Sequence, residues 1–172
     1  MHLIIIKLYG GNKVSTLIVY ASKYGCTERC AKLLSKELND KVDLINLKNI
    51  KAIDFSKYDR VIIGGSIYIG RIQKEVTEFC TKNLDKLKEK RIGLFICGMQ
   101  EGEMINTELN QNFPSELLKI AEVKSYFGGE FIFDKMNFME KLIVKKVSKL
   151  TSDKSNILED NIYKFAQKIN SI

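Results

Sequence analysis

Apolar residues recur along this chain in two rhythms. Short strand-like runs at 16–21, 42–46, 60–64, 92–97 and 124–127 alternate with longer stretches in which apolar positions return every three or four residues. The runs Leu17-Ile18-Val19 and Val61-Ile62-Ile63 are unbroken, as expected of strands covered on both faces, because a strand with one wet face alternates apolar and polar residues. The slower rhythm predicts helices at 27–38, about 73–88, 115–120, about 138–150 and 156–169. The link 47–57 is short for a full helix and reads as a turn or a single helical turn. Pro114, the only proline, suits the start of the helix over 115–120. Alternation of strand and helix predicts an α/β fold, a parallel sheet with helices on both faces. With no composition shift, internal repeat or low-complexity tract, residues 14–172 read as one domain with a sizeable core.

Ligands of such open sheets gather at the carboxyl ends of the strands. Three segments stand there: Ser22-Lys23-Tyr24-Gly25-Cys26-Thr27, Gly65-Ser66-Ile67-Tyr68-Ile69-Gly70 and Cys97-Gly98-Met99. The first is a hydroxyl-rich turn between a strand and a helix. The leading amides of a helix have no intrahelical acceptor, and the helix dipole adds partial positive charge, so an anion is stabilised there without a dedicated Arg. Ser22 and Thr27 supply hydroxyl donors, and Gly25 lets the backbone curl closely around a ligand. Taken in isolation the same letters favour a plain helix start with Thr27 as its cap. The convergence of three segments at strand ends moves the reading toward a phosphate-bearing ligand.

The first segment resembles the flavodoxin phosphate loop, [ST]-x-T-G-x-T. Ser22, Gly25 and Thr27 match it, while Tyr24 replaces the middle Thr and removes one hydroxyl donor. Tyr58-Asp59-Arg60-Val61-Ile62-Ile63-Gly64-Gly65-Ser66-Ile67-Tyr68-Ile69-Gly70 looks like the third strand and second flavin loop of that family. Ile92-Gly93-Leu94-Phe95-Ile96-Cys97-Gly98-Met99 looks like the fourth strand and the loop on the other side of the flavin. Among flavodoxin-like proteins the chain is most similar to the subgroup containing the menaquinone-dependent protoporphyrinogen dehydrogenases. There Y-D-x-V-x-I-G-x-S-I-x-x-G recurs and a basic, aromatic insert precedes the last helix. The resemblance covers about Ser15 to the C-terminus.

The resemblance implies a doubly wound, five-stranded parallel sheet of order 2-1-3-4-5 and noncovalently bound FMN. Ser22, Lys23, Tyr24, Gly25, Cys26 and Thr27 would hold the phosphate. Gly65, Ser66, Ile67, Tyr68, Ile69, Gly70, Cys97, Gly98 and Met99 would flank the ring, with Tyr68 stacked on one face, Met99 covering the other, and amides around Gly65, Gly70 and Gly98 meeting the flavin edge. Tyr68 packed on its own helix is an equal alternative. No side chain is expected to act as nucleophile or catalyst. The implied reaction moves electrons from protoporphyrinogen IX to a quinone. The alternative is a non-enzymatic flavodoxin-type electron carrier with a basic docking face, and a flavin-free scaffold is a third class.

Charge departs from the family habit, since flavodoxins that shuttle electrons are strongly acidic and this chain carries +7. Lys predominates, the only arginines being Arg29, Arg60, Arg71 and Arg91, so the surface reads as generally cationic and no motif points to nucleic acid. The single histidine, His2, leaves no His-based triad or His-ligated metal site to propose. Neither G-x-G-x-x-G nor G-x-x-x-x-G-K-[ST] occurs. A phosphoacceptor receiver domain of the same sheet order would need an aspartate where Ala21-Ser22 stands. Cys26 and Cys30 share a helix face but make a poor zinc site as a pair, so burial as free thiols is expected and no metal is assigned.

The basic segment at about 135–150 is the clearest departure from a short flavodoxin. As a helix it would carry Met139, Leu142, Ile143, Val147 and Leu150 on one stripe and Lys141, Lys145 and Lys149 on another face. Packing of the stripe on the core or on a subunit is expected, with contact at an anionic membrane surface as the alternative. Residues 1–13 fit poorly with a first strand near position 16 and are expected to be a leader outside the folding unit, with Val14 as a candidate start. The run Leu3-Ile4-Ile5-Ile6 is too short to span a bilayer and has no cleavage site, so a cytoplasmic protein is expected, peripheral at the inner membrane face if the basic helix touches lipid.

Overall fold

The structure, a computed structural model, describes residues 15–50, 52–149 and 151–172. The expected leader 1–13, with His2, and the candidate start Val14 lie outside these residues, as do Leu150 and the side chain of Val147. In chain order the elements are β1 (Ser15–Ala21), α1 (Cys26–Glu37), β2 (Lys41–Asn46), β3 (Arg60–Tyr68), β4 (Arg71–Ile72), α2 (Lys74–Lys82), α3 (Leu84–Lys88), β5 (Arg91–Cys97), α4 (Glu103–Asn112), α5 (Ser115–Ile120), β6 (Ala121–Tyr126), β7 (Gly128–Phe131), α6 (Phe138–Ser148), β8 (Lys154–Ile157) and α7 (Glu159–Asn170). Five strands pair in parallel in the order β2-β1-β3-β5-β6, which is 2-1-3-4-5 when the parallel strands alone are counted. β4 adds an antiparallel hairpin to the end of β3.

Successive residues of the central strands feed two cores. Leu17, Val19, Val61, Ile63, Leu94 and Ile96 pack with Val76 and Phe79 of α2, Leu87 of α3 and Leu117 of α5. Their neighbours Ile18, Tyr20, Ile62 and Phe95 pack with Cys30 and Leu34 of α1 and Ile162 and Phe165 of α7. Phe127 ties this second layer together, stacked on Phe95 at 4.5 Å between centroids and meeting Phe165 edge-on at 5.4 Å. Each such fully buried side chain contributes about 1.5–3 kcal/mol, which is why unbroken apolar runs specify central strands.

Several elements differ from the sequence expectation. The helix expected over 73–88 is two helices, because the backbone N–H and the side-chain amide of Asn83 both donate to the Phe79 carbonyl, at 3.1 and 2.9 Å, and end the first. The helix α4 was not foreseen, since few of its residues are apolar and it buries only Glu108 and Leu109. The link 47–57 holds two 3₁₀ turns, Leu47–Asn49 and Phe55–Lys57, capped by the Asn46 and Asp54 side chains. Pro114 stands at the N-cap of α5, which spans Ser115–Ile120 as expected. The last helix begins at Glu159, because Lys154–Ile157 pairs with β7 as an antiparallel ribbon beyond the sheet.

That ribbon brackets residues 132–153, the basic insert. Asn137 and Glu140 form a reciprocal capping box at the start of α6. Phe133, Met136 and Val144 are buried together, whereas Phe138, Met139 and Leu142 are 74%, 64% and 46% exposed. Of the expected packing on the core or on a subunit, the core half is therefore corrected for Met139 and Leu142. The face of α6 turned inward carries Glu140 and Val144, one turn apart, and Glu140 is fixed by an ion pair to Lys23. At the opposite end of the sheet Arg60, buried, pairs with Asp40 at 2.5 Å, and Asp40 also accepts from the Thr16 hydroxyl at 2.7 Å. No helix among the described residues is long and apolar enough to cross a membrane.

Candidate functional site

A cavity of about 470 Å³ opens at the carboxyl ends of β1, β3 and β5, within the size range of small-molecule and cofactor sites. All three sequence segments reach it. Ser22, Lys23, Tyr24, Cys26 and Thr27 line one side, Ser66, Ile67, Tyr68 and Ile69 a second, and Cys97, Gly98 and Met99 a third. Gly25, Gly65 and Gly70 are not in the wall. Gly65 lies inside the sheet, between Ala21 of β1 and Ile96 of β5.

The start of α1 shows that Thr27 is not its cap. Gly25 is the N-cap, in a left-handed conformation at φ 99°, and no side chain caps the helix. Thr27 is the second helical residue. Its hydroxyl is fully buried and has no hydrogen-bond partner among the described residues. The Ser22 hydroxyl accepts from the Gly25 amide at 2.9 Å, which holds the turn and leaves its own proton available. An uncapped helix start beside a donor without an acceptor suits an oxyanion, because the ligand would complete both.

The second segment ends in a strained turn. Ile69 and Gly70 both have positive φ, 51° and 72°, as the two-residue link between β3 and β4 requires. Gly adopts that conformation freely, whereas a β-branched residue is sterically opposed to it. Ile69 is nonetheless 68% exposed at the cavity rim. The ring of Tyr68 faces the Lys23 ammonium, 4.1 Å from its centroid. In the third segment the Gly98 amide donates to Gly128 at 2.9 Å, so the expected amide contact from Gly98 to a ligand edge is taken by backbone.

The insert supplies a wall that the sequence reading missed. Met136, Ile143 and Val144 line the cavity, together with Gly129, Glu130 and Phe131 of β7 and Lys154 and Asn156 of β8. Gln100 and Glu101 extend the third segment. The ribbon was hidden because its second strand is short and polar, and Asn156 read as part of a helix. Two contacts hold the insert to the first loop: Lys135 Nζ donates to the Tyr24 carbonyl at 2.9 Å, and Lys23 Nζ pairs with Glu140 at 2.5 Å. Lys23, expected at a phosphate, is thus neutralised by a carboxylate in this structure. Its ammonium pairing, with Tyr24 alongside, holds the Glu140 carboxyl down at about 2. Burial and the same carboxylate push the Tyr24 phenol up to about 12.

Below the first loop, Cys26 and Cys30 meet Cys97. Contacts within the cluster, first with Cys30 and then with Cys97, lower the pKa of the Cys26 thiol, while burial raises that of Cys97. All four cysteines are buried and free, and Cys80 lies in the other core layer.

Comparison with known proteins agrees with this architecture. A family model described as a flavodoxin domain matches residues 17–157. The chain belongs to the flavodoxin domain family. Its sequence is 20% identical over 159 residues to a protein named protoporphyrinogen IX dehydrogenase [quinone] from Escherichia coli strain K12, covering 87% of each chain. In fold this flavodoxin domain is similar to a short-chain flavodoxin associated with a non-canonical PDU bacterial microcompartment, with a TM-score of 0.60 at 19% identity over 92% of this chain and 97% of that one. It is also similar to a Fusobacterium nucleatum flavodoxin bound to flavin mononucleotide, with a TM-score of 0.52 at 15% identity over 91% and 97% of the two chains.

Proposed function

We propose that this flavodoxin domain binds FMN noncovalently in the cavity and is a redox protein that passes electrons from protoporphyrinogen IX to a quinone. The observation that carries the FMN reading is the uncapped start of α1 with the buried, partnerless Thr27 hydroxyl beside it. Ser22, Thr27 and the leading amides of α1 would hold the phosphate, and Lys23 would exchange Glu140 for it. Tyr68 and Met99, on different walls, would flank the ring. When bound, the flavin supplies reversible electron transfer that no side chain of the cavity offers. Similarity to the Fusobacterium flavodoxin, whose structure contains flavin mononucleotide, supports the same choice.

The substrate reading rests on similarity to the E. coli protein and on charge. Lys23 and Lys154 line the cavity, and a net charge of +7 attracts the carboxylates of a porphyrinogen. Each step would remove two electrons and two protons from the porphyrinogen and reduce one quinone to a quinol. The exposed Phe138, Met139 and Leu142 beside Lys145 and Lys146 suit peripheral contact with an anionic inner membrane face, where a quinone is found.

Two measurements test this in order. Titration of the purified protein into FMN is expected to quench flavin fluorescence saturably, and unquenched FMN at high protein overturns both redox readings. The loaded protein, under anaerobic conditions, is then expected to form fluorescent porphyrin from protoporphyrinogen IX only when menaquinone is present. FMN binding without porphyrin formation overturns the dehydrogenase reading and leaves an electron carrier.

A further inference from the structure

The sulfur cluster beneath the phosphate loop is arranged as a ligand set. Cys26 and Cys30 stand one turn apart on α1, and Cys97 ends β5, so residues 67 or more positions apart in the chain bring three sulfurs together. The three Sγ atoms lie within 4.8 Å of one another. Around a tetrahedral ion with metal–sulfur bonds of about 2.3 Å, three sulfurs stand about 3.8 Å apart. Closing the cluster therefore takes a shift of less than about 1 Å, within reach of small Cys χ1 rotations.

We propose that Cys26, Cys30 and Cys97 form a site for a thiophilic divalent ion of the zinc type, with its fourth position open to the cavity. The all-sulfur donor set selects a soft or borderline ion and rejects Mg²⁺ and Ca²⁺, which take oxygen ligands. Cys26 and Cys97 line the cavity and Cys30 does not, so the open position lies on the cavity side, where water or a small ligand completes the tetrahedron. Three thiolates around a divalent ion leave one net negative charge. That charge falls at Cys26, the first residue of α1, where the helix dipole is positive. On binding, three S–H bonds are exchanged for three S–metal bonds, the protons leave to solvent, and no electron moves. The site needs no flavin, so it stands or falls independently of FMN binding.

The test is a titration of the reduced, flavin-free full chain with Co²⁺, followed by displacement with Zn²⁺. Saturation at one equivalent is expected, with the intense long-wavelength d–d bands of tetrahedral cobalt and a sulfur-to-cobalt charge-transfer band, both lost on adding Zn²⁺. Cys30→Ala is expected to weaken binding by at least about a hundredfold. Cys80→Ala, in the opposite core layer, leaves it unchanged. If Cys30→Ala does not fold, X-ray absorption of the zinc-loaded wild type decides the matter, with three sulfurs and one lighter neighbour expected. An octahedral cobalt spectrum, no saturation at one equivalent, a folded Cys30→Ala that binds as tightly as wild type, or fewer than three sulfurs at zinc overturns the site.

Discussion

The two ends of the parallel sheet are built to different rules. At the amino ends of the strands the buried Arg60 guanidinium meets Asp40 at 2.5 Å, and Thr16 donates to the same carboxylate at 2.7 Å. At the carboxyl ends a buried hydroxyl, Thr27, has no partner among the described residues, Ile69 holds a positive φ, and the Lys23 ammonium is held by a carboxylate from an insert. The first end brings opposite charges together where the chain would otherwise bury one alone. The second leaves polar groups and backbone strain in place, which costs stability unless a ligand uses them. The contrast marks the carboxyl ends as the candidate site without reference to any relative.

Breaking the closed end should cost the most. Asp40→Ala leaves the Arg60 charge buried without its carboxylate, and a loss of about 3–5 kcal/mol in urea unfolding is expected, with FMN affinity in the surviving folded fraction unchanged. A small stability loss would mean that Arg60 reaches water more readily than its 2% exposure implies. Thr27→Val should do the reverse at the open end. Its hydroxyl forms no bond in the free protein, so stability is expected to stay level or rise by up to about 1 kcal/mol, while FMN affinity falls at least about tenfold. Parallel urea melts and flavin titrations separate the two variants. Equal FMN affinity in Thr27→Val and wild type would remove the observation on which the cofactor reading stands.

The same contrast explains what the sequence made legible. Unbroken apolar runs located the central strands β1, β3 and β5, which cannot hide their composition, mixed runs located the edge strands β2 and β6, and the strand-end rule brought three short motifs to one cavity. The ribbon of β7 and β8 escaped notice because a Gly-Gly-Glu-Phe strand and a four-residue polar one carry no period long enough to read. Met139 and Leu142, read as able to pack on the core, misled for a related reason. An apolar stripe says that a helix has two faces, but here the capping box and the Lys23–Glu140 pair decide which face turns inward. Cys97 could not be linked to Cys26 and Cys30 from spacing, since only the sheet topology joins them.

Relieving strain at the open end should have an intermediate effect. Ile69→Asn places a residue that tolerates positive φ before Gly70, in the dipeptide that two-residue hairpins favour, and thermal unfolding should show a gain of about 1 kcal/mol. Ile69 also lines the cavity rim, so FMN binding is expected to weaken a few-fold. A gain in stability together with unchanged flavin affinity would show that the strain serves nothing at this site.

The smallest effect concerns the latch between insert and loop, and it is the one that pH reveals. The Glu140 carboxyl lies at about 2 in the folded protein, below the ordinary value of about 4.3, because Lys23 stabilises its charged form. A depressed folded pKa contributes stability that is fully present above the unfolded value and is lost as pH falls toward the folded one. Amide protection in residues 132–149, taken relative to the intrinsic exchange rate at each pH, should therefore fall between about pH 4.3 and pH 2, ahead of protection in β1 and β3. Glu140→Gln keeps a side-chain oxygen to accept from the Asn137 amide and removes only the charge, so exchange in the insert should already be faster at neutral pH and its protection should lose its dependence across that window. The energetic effect is about 1 kcal/mol or less, since the Lys23 side chain remains 35% exposed. The variant also frees Lys23 for a phosphate, so FMN should bind about threefold more tightly. Tighter binding with a looser insert would identify the pair as a lock on the empty cavity, and weaker binding would make Glu140 part of the FMN-competent architecture.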